Sequence, residues 1–328
     1  MNCKNCPRHC NISEPAKAPN LIGEESEMAP LTEGQRNRRK GAGFCGANTG
    51  FPEAAAVYAH TGEEPPISGK RGISNIFFAH CNLQCCFCQN HEISRTIVDE
   101  ERIGLRGVGE IVEATIRSLQ KTENMVGLVS ATQYAGLVPE IVEGLHERGF
   151  FPTVVYNSNG YESVETLKEI APYIDVYLPD FKYADGMLAA RYSNAANYPE
   201  VAGAALKEMY DQKGSSLPTD DDDLAFRGLI VRHLVLPGQV DNSIRCLEWL
   251  ADNISTNIHV SLLAQYFPPE GIALPDELGR RLKREEYEKV VECFYDLGFH
   301  RGWVQELEAA DNYKPHFEGE TRFGGNEN

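Results

Sequence analysis

No run of the 328-residue sequence approaches the roughly 18 apolar residues of a membrane-spanning helix. The start, Met1-Asn2-Cys3-Lys4-Asn5-Cys6, lacks the apolar region of a secretory signal. Basic residues are scarce: 31 Lys and Arg face 48 Asp and Glu, a net charge of −17. That balance argues against a nucleic-acid partner, because phosphate binding needs a basic face. Part of the acidity is local. Asp220 to Asp223 form a run in a polar segment, read as a solvated loop rather than a metal site. No internal repeat is visible. What the sequence does have is 42% hydrophobic residues, enough for one large domain with an appendage. It also has ten cysteines, clustered at metal-binding spacing. In a chain without a secretory signal that clustering implies a reducing cytoplasm.

The densest cluster is Cys81-Asn82-Leu83-Gln84-Cys85-Cys86-Phe87-Cys88. Cys81, Cys85 and Cys88 follow a C-x3-C-x2-C spacing, with Phe87 just before the last. Three thiolates on a tight loop can hold three irons of a cubane [4Fe-4S] cluster, which leaves the fourth iron open to a substrate or cosubstrate. The preceding run, Ile73 to Ala79, is apolar and aromatic and reads as a buried strand. A loop at the C-terminal end of a first strand is where catalytic loops sit in a parallel α/β barrel. The competing reading is a zinc knuckle, for which His91 is the only adjacent fourth ligand. Cys86 reads as a bystander, and Cys246 and Cys293 as small core residues.

The stretch resembles the cluster loop of the radical S-adenosylmethionine enzymes. The resemblance implies that the open iron binds the amino and carboxylate groups of S-adenosylmethionine. It further implies reductive cleavage to a 5′-deoxyadenosyl radical, and an electron donor such as flavodoxin or ferredoxin.

Residues 1–72 are expected to form a cysteine-rich metal-binding extension and linker. Cys3, Cys6 and Cys10 fall within eight positions, and Cys45 follows in a glycine-rich turn. Four thiolates can close a zinc site or hold a second iron-sulfur cluster, or the thiols can stay unmetallated. His9 is an alternative ligand. The polar stretch between Cys10 and Cys45 reads as a flexible insertion. Residues 53–60 are expected to be a short helix. Gly62 to Gly69 reads as a linker in which Pro65 and Pro66 forbid helix.

From residue 73 strands alternate with helices, the signature of a parallel sheet. Strands are expected at 73–79, 125–130, 152–156, 174–178, 228–236 and 258–263, with a further edge strand at 301–304. Helices are expected at about 108–121, 137–147 and 163–171, in one or two pieces within 183–223, through Leu250, and at 284–297. The fold class is therefore α/β, a partial (β/α)6 TIM-like barrel over residues 73–311. The tail, 312–328, reads as mobile.

Polar groups just past each strand face the active site of such a barrel. Ser130 and Thr132 can bond the cosubstrate's amino group. Asn157 and Asn159 can reach ribose hydroxyls, or simply serve a βα turn. Asp180 and Lys182 can bind a carboxylate or a cation, or form a surface ion pair. His233 lies in an apolar strand, as a core histidine or as a functional one. Gln265, in Ala264-Gln265-Tyr266-Phe267-Pro268, can cover an adenine.

Together these segments resemble the proteins related to pyruvate formate-lyase activating enzyme. The matching motifs are Cys6-Pro7-Arg8-x-Cys10, Glu64-Pro65-Pro66-Ile67-Ser68-Gly69, Phe77-Phe78-x-x-Cys81-Asn82-Leu83, Cys88-Gln89-Asn90-x-x-Ile93-Ser94, Asn157-Ser158-Asn159-Gly160, Asp180-Phe181-Lys182-Tyr183, Arg232 to Gly238, and Gln265-Tyr266. The resemblance implies that Asp180, Lys182 and His233 line the cosubstrate pocket and that Asn157 and Asn159 lie near the ribose. It also suggests a protein substrate, a glycine converted to a radical. Two other classes remain open: a redox or electron-transfer iron-sulfur protein without S-adenosylmethionine cleavage, and a zinc-stabilised hydrolase.

Overall fold

The computed structural model describes residues 3–10 and 43–307. The insertion between Cys10 and Cys45 and the tail from Asn312 lie outside the described residues, save for residues 43–45.

Nine strands form one open sheet. In chain order they are β1 (Glu53–His60), β2 (Ile73–Phe78), β3 (Leu105–Arg106), β4 (Met125–Val129), β5 (Thr153–Ser158), β6 (Val176–Pro179), β7 (Gly228–Leu234), β8 (His259–Leu263) and β9 (Gly302–Val304). Across the sheet the order is β3-β1-β2-β4-β5-β6-β7-β8-β9. From β2 onward every neighbouring pair is parallel. The fold is thus a partial α/β barrel, with β9 as the expected edge strand.

The helices are α1 (Pro65–Ser68), α2 (Gly107–Leu119), α3 (Val138–His146), α4 (Val164–Ile170), α5 (Gly186–Ser193), α6 (Tyr198–Lys213), α7 (Val240–Asn253) and α8 (Arg284–Asp296). Each long one buries an apolar stripe. In α3 this is Val138, Ile141, Val142 and Leu145, one face of a 3.6-residue period. Caps start α4 and α5: Ser163 accepts from the Thr166 amide, and Asp185 from the Met187 and Leu188 amides. Asn194 ends α5 in the left-handed region, at φ 52°.

Two expectations fail. Residues 53–60 are a strand, not a helix. Their alanines favour helix in isolation, but β1 pairs antiparallel with β2 along its whole length and bonds β3 on its other edge. Tertiary pairing overrides a weak propensity. Residues 65–68 form one helical turn, with both prolines in its first two positions. Those positions need no amide hydrogen, so proline is tolerated there.

Alternation sorts the strand residues onto two faces. Val154, Tyr156 and Tyr177 pack toward the helices, while Val155, Val176 and Leu178 turn inward with Ile73, Met125 and Ile230. Ile67 of α1 joins this inner cluster, beside Ala225. It closes the interior near the strand starts and leaves the opposite, C-terminal end free for a site. Gly127 belongs to the inner face. A β-carbon there would lie 1.8 Å from Oδ1 of Asn75 on the neighbouring strand. Asn75 in turn donates to Glu63 at 2.7 Å. Gly127→Ala is expected to cost about 1–3 kcal/mol by overpacking. Denaturant unfolding checks this through a lowered midpoint at unchanged slope.

Candidate functional site

At the C-terminal ends of the strands lies a cavity of about 460 Å³. Cys81, Cys85 and Cys88 line it on one side. Asn157, Asn159, Asp180 and Lys182 stand on the strand ends, and Arg232, Glu63 and Glu64 form another wall. Cys86 and His91, the neighbours that might have competed as ligands, are not among the lining residues. The Cys86 amide bonds the Tyr192 carbonyl at 2.8 Å, and His91 turns back to the Cys88 carbonyl at 3.2 Å.

The loop after β2 is bent by residues with positive φ. His80 (φ 70°) precedes the first cysteine and Gln84 (φ 56°) the second. Such conformations are held only where the surroundings fix them. Here the Gln84 side chain donates to the Phe44 carbonyl at 3.0 Å and to Thr96 at 2.6 Å. Gln133 donates to the carbonyls of Ala79 and His80. Arg8 reaches in from the N-terminal segment, donating to the Asn82 carbonyl at 2.6 Å and to the Asn194 carbonyl at 3.0 Å. Its guanidinium lies 3.6 Å from the Phe44 ring centroid.

Each of the three sulfurs receives a side-chain hydrogen bond. Asn159 donates to Cys81 at 3.3 Å, Ser193 to Cys85 at 2.9 Å and Ser94 to Cys88 at 3.3 Å. Burial raises the Cys85 thiol to about 12, opposed first by the Lys182 charge and also by Ser193. Burial likewise raises Cys81, against the Gln84 and Leu83 amides and Asn159. The unligated Cys81 and Cys85 thiols therefore stay protonated, while the surrounding donors and cation suit thiolates once a metal displaces the protons. Donors on every sulfur fit an iron-sulfur cluster better than inert core cysteines.

Lys182 pairs with Asp180. Burial opposes its charge, but Asp180 and Cys85 hold its pKa above the usual lysine range. Asn157 reaches the cavity from the end of β5. Asn159 follows it, and Gly160 (φ 82°) closes the turn. A β-carbon on Gly160 would stand 2.3 Å from the Asp180 carbonyl. Ser130, at φ 54°, lines the cavity, and Phe87 and Gln265 line it too. Phe87 meets Tyr192 and Tyr266 edge-on.

Two expected site residues do not line the cavity. His233 is fully buried, with Nδ1 on the Phe181 carbonyl at 2.7 Å and Nε2 on Ser243 at 2.9 Å. Inward and outward residues alternate along a strand, so Arg232 takes the cavity side and His233 the helix side. Burial draws the His233 pKa down to about 4. Thr132 instead donates to the buried Glu162 at 2.6 Å, beside Ser158 at the same distance.

The sequence reading missed the charged wall. Arg232 binds both Glu63 and Glu64, its Nε lying 2.8 Å from Glu64. Burial opposes the Glu63 charge, but Arg232 and His60 hold its carboxyl down at about 2. The signal was present: an arginine inside an apolar strand requires buried partners. The sulfur contacts of Ser94 and Ser193 were also missed: Ser94 stood only as the end of the Cys88 to Ser94 motif, and nothing in its local sequence marks Ser193.

The N-terminal thiols also converge. Cys3, Cys6, Cys10 and Cys45 line one small cavity behind the loop, with Arg8 and Asn82. As they stand, no three His, Cys, Asp or Glu side chains among the described residues form a ready group for a metal ion. No helix among the described residues is long and apolar enough to cross a membrane.

No family model matches the chain. The uncharacterized protein MJ0674 of Methanocaldococcus jannaschii is 29% identical over 268 residues, 78% of this chain and 70% of that protein. Among solved structures, SuiB of Streptococcus suis is similar with a TM-score of 0.48 at 13% identity, over 71% of this chain and 49% of SuiB. SuiB bound to S-adenosylmethionine gives 0.48 at 13%, over 70% and 50%. A domain of pyruvate-formate lyase-activating enzyme from Bacteroides vulgatus gives 0.36 at 13%, over 52% and 93%. This chain spans about half the length of SuiB. Likenesses of this extent carry no argument about what the chain does.

Burial pushes the Glu162 carboxyl up to about 7, against the hydroxyls of Ser158, Thr132 and Tyr156. Its folded pKa thus exceeds its unfolded one. Its contribution to stability is full below about pH 4.5 and lost as pH rises through 7. Glu162→Gln keeps the acceptor oxygen without the charge. The variant should match the wild type near pH 4.5 and exceed it by up to about 3 kcal/mol above pH 7. Denaturant unfolding across that range checks the slope.

Proposed function

We propose that the chain is a radical S-adenosylmethionine enzyme, with Cys81, Cys85 and Cys88 holding a [4Fe-4S] cluster. One observation carries the reading. Three cysteines of one loop, each bonded at sulfur by a polar side chain, line the large cavity at the strand ends, and neither Cys86 nor His91 lines it with them. When bound, such a cluster supplies the electron that cleaves the sulfonium of S-adenosylmethionine to a 5′-deoxyadenosyl radical.

The chain's own residues have separable tasks. Asn159, Ser193 and Ser94 orient the thiolates and offset their charge. Lys182 offers a fixed positive charge to a carboxylate, and Asp180 a negative one to an ammonium; an amino-acid group carries both. Asn157 offers an amide to ribose hydroxyls. Phe87 and Gln265 line the wall available to an adenine. The hydrogen atom abstracted would come from a glycyl residue of a partner protein, a reading supported by the motif resemblance. The electron would come from a flavodoxin or ferredoxin.

The test is anaerobic reconstitution with iron and sulfide, then dithionite and S-adenosylmethionine. The expected result is release of 5′-deoxyadenosine by protein carrying about four irons. Cys81→Ala should lose both iron and product, whereas Cys86→Ala should keep both. Lys182→Ala should retain iron but weaken S-adenosylmethionine binding about 10- to 100-fold, read by calorimetry. Fully loaded wild type that releases no 5′-deoxyadenosine would sink the proposal and leave an electron-transfer protein.

A further inference from the structure

The four thiols behind the loop gather around one small void. Two short segments make it: Cys3 to Cys10, and the turn around Cys45. The first closes on itself at the backbone, where the Cys3 amide bonds the Cys10 carbonyl at 3.0 Å. His9 takes φ 44° just before Cys10. The segments close tightly, since a β-carbon on Gly43 would stand 2.8 Å from Cβ of Cys10.

Every one of the four sulfurs faces a backbone N–H. The Phe44 amide donates to Cys10 at 3.2 Å. The Asn5 amide serves Cys3, the Arg8 amide Cys6 and the Ala47 amide Cys45. The last three repeat one pattern, in which the amide two residues on turns back to the sulfur. Amides aimed at sulfur favour the thiolate, the form that binds metal.

Size suits a small occupant. The void the four line is about 10 Å³. That is roughly one water-sized sphere, space enough for a single ion. We propose that Cys3, Cys6, Cys10 and Cys45 bind one tetrahedral divalent ion of zinc type. The side chains would draw in by rotation about Cα–Cβ as their protons leave, which is how thiol sites couple metal to local order. Arg8 sits between two of the ligands and reaches the Asn82 and Asn194 carbonyls, so an ion here fixes the floor beneath the loop of Cys81 to Cys88.

The test counts metals in the full-length chain, made in zinc-supplemented medium and purified without oxygen. Wild type and the Cys81→Ala/Cys85→Ala/Cys88→Ala variant should each hold about one zinc per chain, and Cys3→Ser/Cys6→Ser none. A zinc-free triple variant, iron in place of that zinc, or full zinc in the double variant overturns the proposal. Because the triple variant has lost the loop thiols, its zinc content is independent of any S-adenosylmethionine chemistry. Where a variant does not fold, wild type is treated with iodoacetamide after chelation and after zinc is restored. Cys3, Cys6, Cys10 and Cys45 should be protected only with zinc; equal modification in both states overturns the proposal.

Discussion

Three clustered sulfurs, two of them buried and the third, Cys88, half-buried, set the terms for this structure. A thiolate without partners is costly in a low-dielectric interior, so the chain brings a donor to each. The donors come from separate places: Asn159 from the turn after β5, Ser193 from the end of α5, and Ser94 from the segment after the loop itself. Holding them in register requires the sheet order, the length of α5 and the bend at Gly160 to agree. Arg8 then joins the same loop to the Asn194 carbonyl at the end of α5.

The cavity's other wall obeys the same rule with charges. Arg232 is largely buried, and Glu63 and Glu64 reach it from the chain between β1 and β2. Those carboxylates sit there because α1 seals the barrel just beyond them through Ile67. A helical turn starting with two prolines is therefore a structural stopper whose N-terminal flank supplies part of the site. The strand ends contribute Asp180 and Lys182 between the two walls.

Much of this was legible in the residues. The six central strands and the edge strand fall where apolar runs alternate with helical periods, since local periodicity reports burial directly. The cysteine spacing and the polar residues past the strands marked the loop and one part of the cavity lining. The failures have one cause. Residues 53–60 look helical because alanine is a good helix former, yet β2 offers them a partner. His233 and Arg232 are adjacent in a strand, and only the pleat decides which faces the cavity. Thr132 was read as a ligand contact because it follows a strand, but Glu162, thirty residues on, captures its hydroxyl.

The sequence by itself determined an acidic α/β chain with a three-cysteine loop after its first parallel strand and four further thiols near its start. Spacing and periodicity are local, so they survive without coordinates. Only the tertiary structure decided that those four thiols share one small void, that each loop sulfur has its own donor, and that an arginine and two glutamates close the opposite wall. Such pairings join residues up to 169 positions apart, and the packing that brings them together is set by the whole sheet, not by any one segment.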